Sequence, residues 1–265
     1  MIVTTGRKFN SDAELLAETT AEKLNLKFVE RKNFSIDELR KIYCAESVLV
    51  AKKNSLRLLT EEGELFFHPN TAHLRIKNLR QGEGDRLIDA GKISEGMKIL
   101  DCTLGLGSDA IVESFVVGES GKVVALEKNP VIAEIVRHGM KNFSADNEKI
   151  LSAMRRVEII TVDYFDFLKN AEENSFDIVY FDPMFRRPIN KSSGINPLRP
   201  VADKNPLTLA AVKEACRVAK FRVILKEHAK SGEFNRLGFK LAAGGKYSSI
   251  SFGIIDLVEE NNRRA

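Results

Sequence analysis

The second half of this sequence alternates short apolar runs with segments of helical pattern. Strand-like runs lie at residues 98–101, 123–127, 157–161, 178–181, 223–226, 239–243 and 250–258. Helical patterns lie between them, at residues 108–117, 130–142 and 207–220. Strands that are apolar throughout and separated by helices are typical of a parallel sheet covered on both faces. The last two runs are separated only by residues 244–249, which open with Gly244-Gly245-Lys246 and are too few for a helix, so we expect those two runs to form an antiparallel hairpin.

The first 68 residues follow a different pattern. Residues 12–25 and 35–42 have helical patterns, and the second opens with Ser35 and Glu38 at the spacing of a capping box. Strand-like runs follow at residues 47–52, 56–60 and 65–67. We therefore expect a small α/β domain at residues 1–68 and a larger α/β domain at residues 69–265, which begins with a basic helix at residues 71–80.

The composition excludes several classes of protein. No apolar run approaches the roughly 20 residues that span a bilayer, and the opening MIVTTGRKFN lacks the apolar stretch of a signal peptide. Cys44, Cys102 and Cys216 lie far apart, and the four histidines show no zinc-ligand spacing. The sequence thus predicts a reduced cytoplasmic protein with no metal site and no membrane association.

A glycine-rich turn, ILDCTLGLGSDA at residues 99–110, joins the first predicted strand to a helix. Such turns let backbone N–H groups approach a ligand closely. A plain strand–helix turn is one interpretation. A dinucleotide site is another, because Gly105, Gly107 and Ala110 fit the G-x-G-x-x-G/A pattern. Asp101 favours a third, S-adenosylmethionine (SAM), because the ammonium and sulfonium of SAM are cations and a pyrophosphate gains nothing from an anion there.

Carboxylates also end the next two predicted strands. Glu127 lies 20 residues beyond Gly107 and could accept the ribose hydroxyls of either NAD or SAM. Asp163 could accept the adenine amino group or could cap the helix that follows, and the sequence leaves both open. Together with Asp101 and the glycines, these residues at the ends of three successive strands favour SAM over NAD.

The fourth strand ends in an unusual motif, FDIVYFDPMF at residues 176–185. In open α/β sheets the ligand lies outside the carboxyl ends of the strands. An exocyclic amine of a nucleobase is a poor nucleophile until acceptors for its N–H groups free its lone pair. Asp182 can supply such an acceptor, Pro183 stiffens the turn, and Phe185 can stack on a flipped base. We therefore expect Asp182-Pro183-Met184-Phe185 to be the catalytic motif of an enzyme that methylates a nucleobase amine.

A basic, proline-rich segment follows this motif at residues 186–204. It carries five cations and one acid, a balance of +4 that equals the net charge of the whole chain. A solvated loop is one interpretation. Beside a base pocket, however, positive charge suits phosphate contacts that position RNA. The candidate RNA contacts are Arg186, Arg187, Lys191, Arg199 and Lys204, and the basic helix could extend the surface with Arg75, Lys77 and Arg80.

Both motifs resemble the RsmJ family of small-subunit rRNA guanine-N2 methyltransferases, across residues 79–256. The resemblance implies a class I methyltransferase fold, which is a Rossmann-like, seven-stranded, mainly parallel sheet with an antiparallel last strand. Cys102 and Ser108 stand where the family has alanine and arginine. Lys226 matches a family lysine and joins the candidate RNA contacts. The resemblance also implies SAM contacts at the strand ends, from Ser108, Asp109, Glu127, Lys128, Asp163, Tyr164 and Asp182.

The expected function is therefore SAM-dependent methyl transfer to guanine N2 in small-subunit rRNA, with RNA or the small ribosomal subunit as partner. Another RNA or DNA amine, a protein or a small molecule remains an alternative acceptor. A SAM-binding regulatory protein without turnover is a further alternative. The intact Asp-Pro-Met-Phe argues against it, since a sensor has no use for an amine-activating pocket.

Overall fold

The structure is a computed structural model that describes residues 1–145, 147–183, 205–244 and 249–258. These residues form two compact units. The first comprises residues 1–68 together with 129–145, and the second comprises the other described residues from 69 onward. The predicted domain boundary after residue 68 stays a prediction, because a later segment of the chain also belongs to the first unit.

The elements are numbered in chain order. The strands are β1 (Ile2–Thr5), β2 (Lys27–Phe28), β3 (Val48–Lys52), β4 (Ser55–Thr60), β5 (Gly63–Phe66), β6 (Lys98–Asp101), β7 (Lys122–Glu127), β8 (Val157–Thr161), β9 (Phe176–Phe181), β10 (Ala219–His228), β11 (Lys240–Gly244) and β12 (Ile250–Asp256). The helices are α1 (Ser11–Lys23), α2 (Ile36–Tyr43), α3 (Asn70–Arg80), α4 (Arg86–Gly91), α5 (Ser108–Val117), α6 (Pro130–Asn142), α7 (Glu148–Arg156), α8 (Tyr164–Asn170), α9 (Leu209–Val218) and α10 (Glu233–Leu237).

The first unit is built on a five-stranded sheet in the order β2-β1-β3-β4-β5. β1 runs parallel to both β2 and β3, whereas β3, β4 and β5 form an antiparallel meander. The predicted capping box at the start of α2 is confirmed, since Ser35 and Glu38 satisfy each other's backbone N–H groups. Leu39 on that helix packs with Ile2, Val48 and Val50 in the core of the unit.

The second unit contains the predicted seven-stranded sheet, in the order β11-β12-β10-β9-β6-β7-β8. Five neighbouring strands of this sheet are parallel: β10, β9, β6, β7 and β8. β12 runs antiparallel to both β10 and β11. This confirms the predicted fold class and the antiparallel hairpin, although residues 245–248 in its connection lie outside the described chain. The central strands are buried on both faces, which explains their unbroken apolar runs. None of the described helices combines the length and apolarity that a bilayer crossing requires.

The parallel strands determine where the functional side chains lie. Because β6, β7, β8 and β9 all run in one direction, their carboxyl ends meet at one edge of the sheet. Asp101 and Glu127 are the last residues of β6 and β7, and Asp182 follows β9 directly. The sequence analysis missed α7, because that helix passes into β8 at Val157 with no turn residue to mark its end.

Candidate active site

The glycine-rich turn connects β6 to α5 with two residues in the left-handed region. Gly105 has a φ of +51° and Gly107 a φ of +77°, and Gly107 is the N-cap of α5. A Cβ atom added to Gly105 would meet only the Thr103 carbonyl, at 3.9 Å, so the space beside this backbone is open. The Gly105 N–H donates to Glu127 Oε2 at 3.3 Å. The turn and the end of β7 therefore lie together, as the sequence predicted.

Asp101 presents a buried carboxyl oxygen that no described residue contacts by a hydrogen bond. Its side chain is 1% exposed, and its Oδ1 accepts the Thr103 N–H at 2.9 Å. Its Oδ2 has no hydrogen-bond partner among the described residues. Burial, reinforced by the charges of Asp109 and Asp182, raises the pKa of Asp101 to about 8. An unpartnered carboxyl oxygen in a buried site fits a cationic donor, such as the ammonium of SAM.

A network of ion pairs lies beside Asp101. Lys226 Nζ donates to Asp109 Oδ2 at 2.8 Å and to Asp182 Oδ2 at 2.7 Å. Tyr180 Oη also donates to Asp109 Oδ2, at 3.0 Å. Arg75 pairs with Asp109 and, at 2.7 Å, with a fourth carboxylate at Asp85. The network joins α3, α5, β9 and β10 in a region where an unpaired charge would cost several kcal/mol.

Burial and the cations act in opposition on these carboxyl groups. Burial disfavours ionisation of Asp109, but Lys226 and Arg75 outweigh it and hold the pKa of Asp109 below its usual range. Burial also raises the pKa of Asp182, against the opposing charge of Lys226, and the negative charge of Asp109 adds to the rise. Of the two carboxylates that contact Lys226, Asp182 therefore takes up a proton more readily than Asp109.

Thr103 and Tyr180 contribute to the site and were missed by the sequence analysis. Thr103 Oγ1 accepts the Asp182 N–H at 2.6 Å, while the Thr103 backbone N–H donates to Asp101. Thr103 thus connects the glycine-rich turn to the motif after β9. The sequence gives an indication only of the bond to Asp101, because an aspartate side chain often accepts the backbone N–H two residues further on. Tyr180 gives none, since it lies within an apolar strand.

The residues predicted near the third strand have partners within the protein. Asp163 caps α8 by accepting the Phe165 N–H at 2.8 Å, which confirms the cap interpretation. Its other oxygen lies 3.0 Å from Lys128 Nζ. The Tyr164 ring packs edge-on against Phe181, with ring centroids 5.6 Å apart. Contact of these residues with a ligand stays a prediction.

The structure shows ion-pair partners for two of the predicted basic residues, Arg75 and Lys226. The prediction that Arg75 extends an exposed basic surface is wrong, because its guanidinium is committed to Asp85 and Asp109. Lys226 was predicted to contact RNA, and the structure places its ammonium between Asp109 and Asp182; an RNA contact from Lys226 stays a prediction. The remaining predicted residues lie outside the described chain: Met184, Phe185, Arg186, Arg187, Lys191, Arg199 and Lys204.

Glu113 is a further buried carboxyl group near Asp101. It lies on α5 with no exposed side-chain surface, and neither of its oxygens has a hydrogen-bond partner in the described part of the chain. Burial raises its pKa well above the usual value, and the charges of Asp101 and Asp109 add to the rise. Glu113 therefore holds its proton where a solvated glutamate would be ionised.

Glu113 and Asp101 make the stability of the protein depend on pH. Both pKa values are higher in the folded state, so the folded state holds the extra protons between the normal pKa near 4 and the raised ones. The free energy of unfolding should then fall as pH rises through this window, by up to about 1.4 kcal/mol per pH unit for each carboxyl group. We expect urea unfolding between pH 5 and 8 to show this slope, and Glu113→Leu to reduce it.

The exposed Glu119 provides the control, since Glu119→Gln should leave the slope unchanged. A Glu113→Leu protein whose stability has the same pH dependence as the wild type would show that Glu113 is not the proton-holding group.

Comparisons with known proteins agree with this geometry. The family described as "Putative SAM-dependent methyltransferase" matches residues 37–238. "Uncharacterized protein YpiP" of Bacillus subtilis (strain 168) is 39% identical over 255 residues, which cover 96% of this chain and 98% of that protein. "Ribosomal RNA small subunit methyltransferase J" of Legionella pneumophila (strain Lens) is 31% identical over 180 residues, which cover 66% of this chain and 64% of that enzyme.

Among solved structures, the SAM-dependent methyltransferase NGO1261 of Neisseria gonorrhoeae shares the fold. Its TM-score is 0.62 at 16% sequence identity, and the match covers 97% of this chain and 96% of that one. The glycine-rich turn, the carboxylates at the strand ends and the family match lead to one conclusion: this chain belongs to the SAM-dependent methyltransferase family and uses SAM as its cofactor.

Proposed function

We propose that this methyltransferase acts in the cytoplasm on an exocyclic amine of a nucleobase, namely guanine N2 in small-subunit rRNA. The observation that carries the proposal is the position of Asp182. Its carboxylate follows β9 at the edge that also bears Asp101 and the glycine-rich turn, and the described chain fixes both its backbone and one oxygen. Similarity to the Legionella enzyme, whose name specifies small-subunit rRNA, supports the choice of acceptor.

The strand-end residues suit the parts of SAM. Asp101 offers its unpartnered Oδ2 to the ammonium, and Gly105 leaves room for close approach to the backbone. Glu127 offers a carboxylate to the ribose hydroxyls, and Asp163 is the candidate acceptor for the adenine amino group. When bound, SAM supplies an electrophilic methyl group.

Asp182 has two tasks in this proposal. It accepts a hydrogen bond from an N–H of the target amine. This hydrogen bond frees the nitrogen lone pair and stabilises the positive charge that develops on the nitrogen during attack on the methyl group. One N–H proton must then leave the methylated nitrogen. The raised pKa of Asp182 makes its carboxylate a suitable base for that proton.

Thr103 and Lys226 position this carboxylate. The short bond from the Asp182 N–H to Thr103 Oγ1 fixes the backbone at the start of the turn. Lys226 holds Oδ2, so the carboxylate has a defined orientation before substrate arrives. Phe185 remains the proposed stacking partner of the base. The cations proposed to contact the RNA backbone are Arg186, Arg187, Lys191, Arg199 and Lys204.

Binding of SAM tests the cofactor site. We expect SAM and S-adenosylhomocysteine to bind the purified protein in calorimetry, and NAD not to bind. Glu127→Ala should weaken SAM binding at least about tenfold, because hydrogen bonds to a charged group contribute about 1.5–3 kcal/mol each. Glu158→Ala, which removes a surface carboxylate of β8, is the matched control and should bind SAM normally. Undiminished SAM affinity in Glu127→Ala would remove Glu127 from the site.

Single-turnover kinetics test the role of Asp182. Asp182→Ala should slow methyl transfer to rRNA by about 10²–10³-fold, by analogy with the loss of one oxyanion-hole donor. RNA affinity should change far less, because the carboxylate acts mainly where charge develops on nitrogen. Asp182→Asn keeps an acceptor oxygen and should retain more activity than the alanine variant.

Asp166→Ala, on the exposed side of α8, controls for loss of a carboxylate near the same edge. If Asp182→Ala lowers thermal stability while the folded fraction transfers methyl groups at the normal rate, Asp182 has only a structural role.

A further inference from the structure

The first unit carries a cluster of cations at one edge of its sheet. β1, β2 and β3 are parallel, so the chain leaves all three strands at the same edge. Two backbone bonds continue the sheet there: Gly6 N–H donates to Ala51 O at 3.2 Å, and Val29 N–H donates to Val3 O at 2.8 Å. The residues here named the basic edge lie at the end of β3 and in the segments that follow the three strands: Arg7, Lys8, Arg31, Lys32, Lys52 and Lys53.

Within its own three segments the basic edge carries little negative charge, and the acids next to it in sequence lie in the first turns of the following helices: Asp12 and Glu14 in α1, and Asp37 and Glu38 in α2. Its three segments, residues 6–8, 29–32 and 52–53, contain six cations and one acid, Glu30. Glu30 lies 3.9 Å from Lys32 Nζ, with both side chains largely exposed, and such a pair contributes little. In the described chain no carboxylate lies within ion-pair distance of Arg7, Lys8, Lys52 or Lys53. The opposite edge of the sheet differs, since the turn between β4 and β5 carries Glu61 and Glu62.

Arg31 is the member of the basic edge that the fold holds in place. It is only 8% exposed, and its Nε donates a hydrogen bond to Phe34 O at 2.8 Å. Burial and the nearby charge of Arg7 both lower the pKa of Arg31. The Glu38 carboxylate accepts hydrogen bonds from Ser35 in the capping box, and these lower the pKa of Glu38. The charge of Arg7 adds to that lowering. Two neighbouring guanidinium groups without a dedicated carboxylate are stabilised by a bound anion.

Exposed aromatic rings lie among these cations. Phe9 follows Lys8 and is 82% exposed, and Phe34 lies two residues after Lys32 and is 39% exposed. Exposure of an apolar ring to water is unfavourable, so covering the ring with a ligand would lower the free energy. Phosphate-binding cations interleaved with aromatic faces are the combination that binds single-stranded nucleic acid, because each base offers a face for stacking and each linkage a phosphate. A duplex would bury the base faces inside its stack.

We propose that the basic edge, together with Phe9 and Phe34, is a binding site for single-stranded RNA on the first unit. The proposal rests on the proposed function in one respect, the choice of RNA as the nucleic acid. It adds a contact surface to the enzyme that neither the resemblance nor the matched families assign. Arg7, Lys8 and Lys53 contact phosphates, and the two rings stack on bases.

Fluorescence anisotropy with a labelled single-stranded RNA of about 15 nucleotides, roughly the upper site size of a single-strand-binding module, tests the site on the full chain. Phe9→Ala should weaken binding about tenfold, within the range for removal of one stacking ring. Arg7→Ala/Lys8→Ala/Lys53→Ala should lower the slope of log affinity against log salt by about 0.7 for each phosphate that the variant no longer neutralises. All four residues are exposed, so the variants should keep the thermal stability of the wild type.

Matched controls come from the same unit. Leu15→Ala removes an exposed apolar side chain from α1, and Lys27→Ala removes an exposed cation at the start of β2, at the opposite edge. Both should bind RNA like the wild type. Wild-type affinity and salt slope in the Phe9 and triple variants would overturn the inference. Equal binding of poly-glutamate, with no effect of Phe9→Ala on RNA, would replace it with a general anion surface.

Methyl transfer measured in parallel separates this inference from the proposed function. A wild-type protein that binds single-stranded RNA through the basic edge but methylates none retains the site and overturns the function. A wild-type protein that methylates RNA while every variant binds RNA normally has the function without the site. Absence of RNA binding by the wild type would overturn the inference directly.

Discussion

In the second unit, several buried carboxyl groups share two cations, and this shortage of positive charge determines which of the carboxyl groups are ionised. Asp101, Asp109, Glu113 and Asp182 lie in or beside the interior, and Lys226 and Arg75 are the cations that oppose their charge. Burying a carboxylate without a partner is costly, so ionisation is favoured where a cation is in contact. Asp109 contacts both cations and has a lowered pKa, whereas the pKa values of Asp101 and Glu113 are raised. Asp182 shares Lys226 with Asp109, and burial still raises the pKa of Asp182.

The sheet edges and the motifs on them were predictable from the sequence, because they follow from local pattern. Unbroken apolar strands separated by helices specify a parallel sheet, and a parallel sheet brings Asp101, Glu127 and Asp182 to one edge. The contacts that complete the site were not predictable. Arg75 reaches Asp109 from 34 positions away, and Lys226 reaches it across 117. No periodicity records such pairs, and Arg75 was therefore misassigned to the surface.

The two units use the carboxyl edge of parallel strands in opposite electrostatic senses. In the second unit that edge carries carboxylates and a glycine-rich turn, which suit a cationic cofactor. In the first unit it carries Arg7, Arg31 and their neighbours, which suit an anionic polymer. The sequence analysis missed β1, because four residues next to the chain start give too short an apolar run to assign. Because β1 pairs with both β2 and β3, a sequence reading without β1 could not predict that the cations at residues 7–8, 31–32 and 52–53 lie at one edge of a sheet.

We propose that this SAM-dependent methyltransferase modifies the exocyclic amine of guanine in RNA. The most direct measurement incubates the protein with isotope-labelled SAM and small-subunit rRNA from a strain that lacks its gene, digests the RNA to nucleosides and identifies the labelled one by mass spectrometry. We expect the wild type to place label in N2-methylguanosine, and Asp182→Ala to place strongly reduced label there. Label on a ring carbon, on a ribose or on protein, or equal transfer by both proteins, would contradict it.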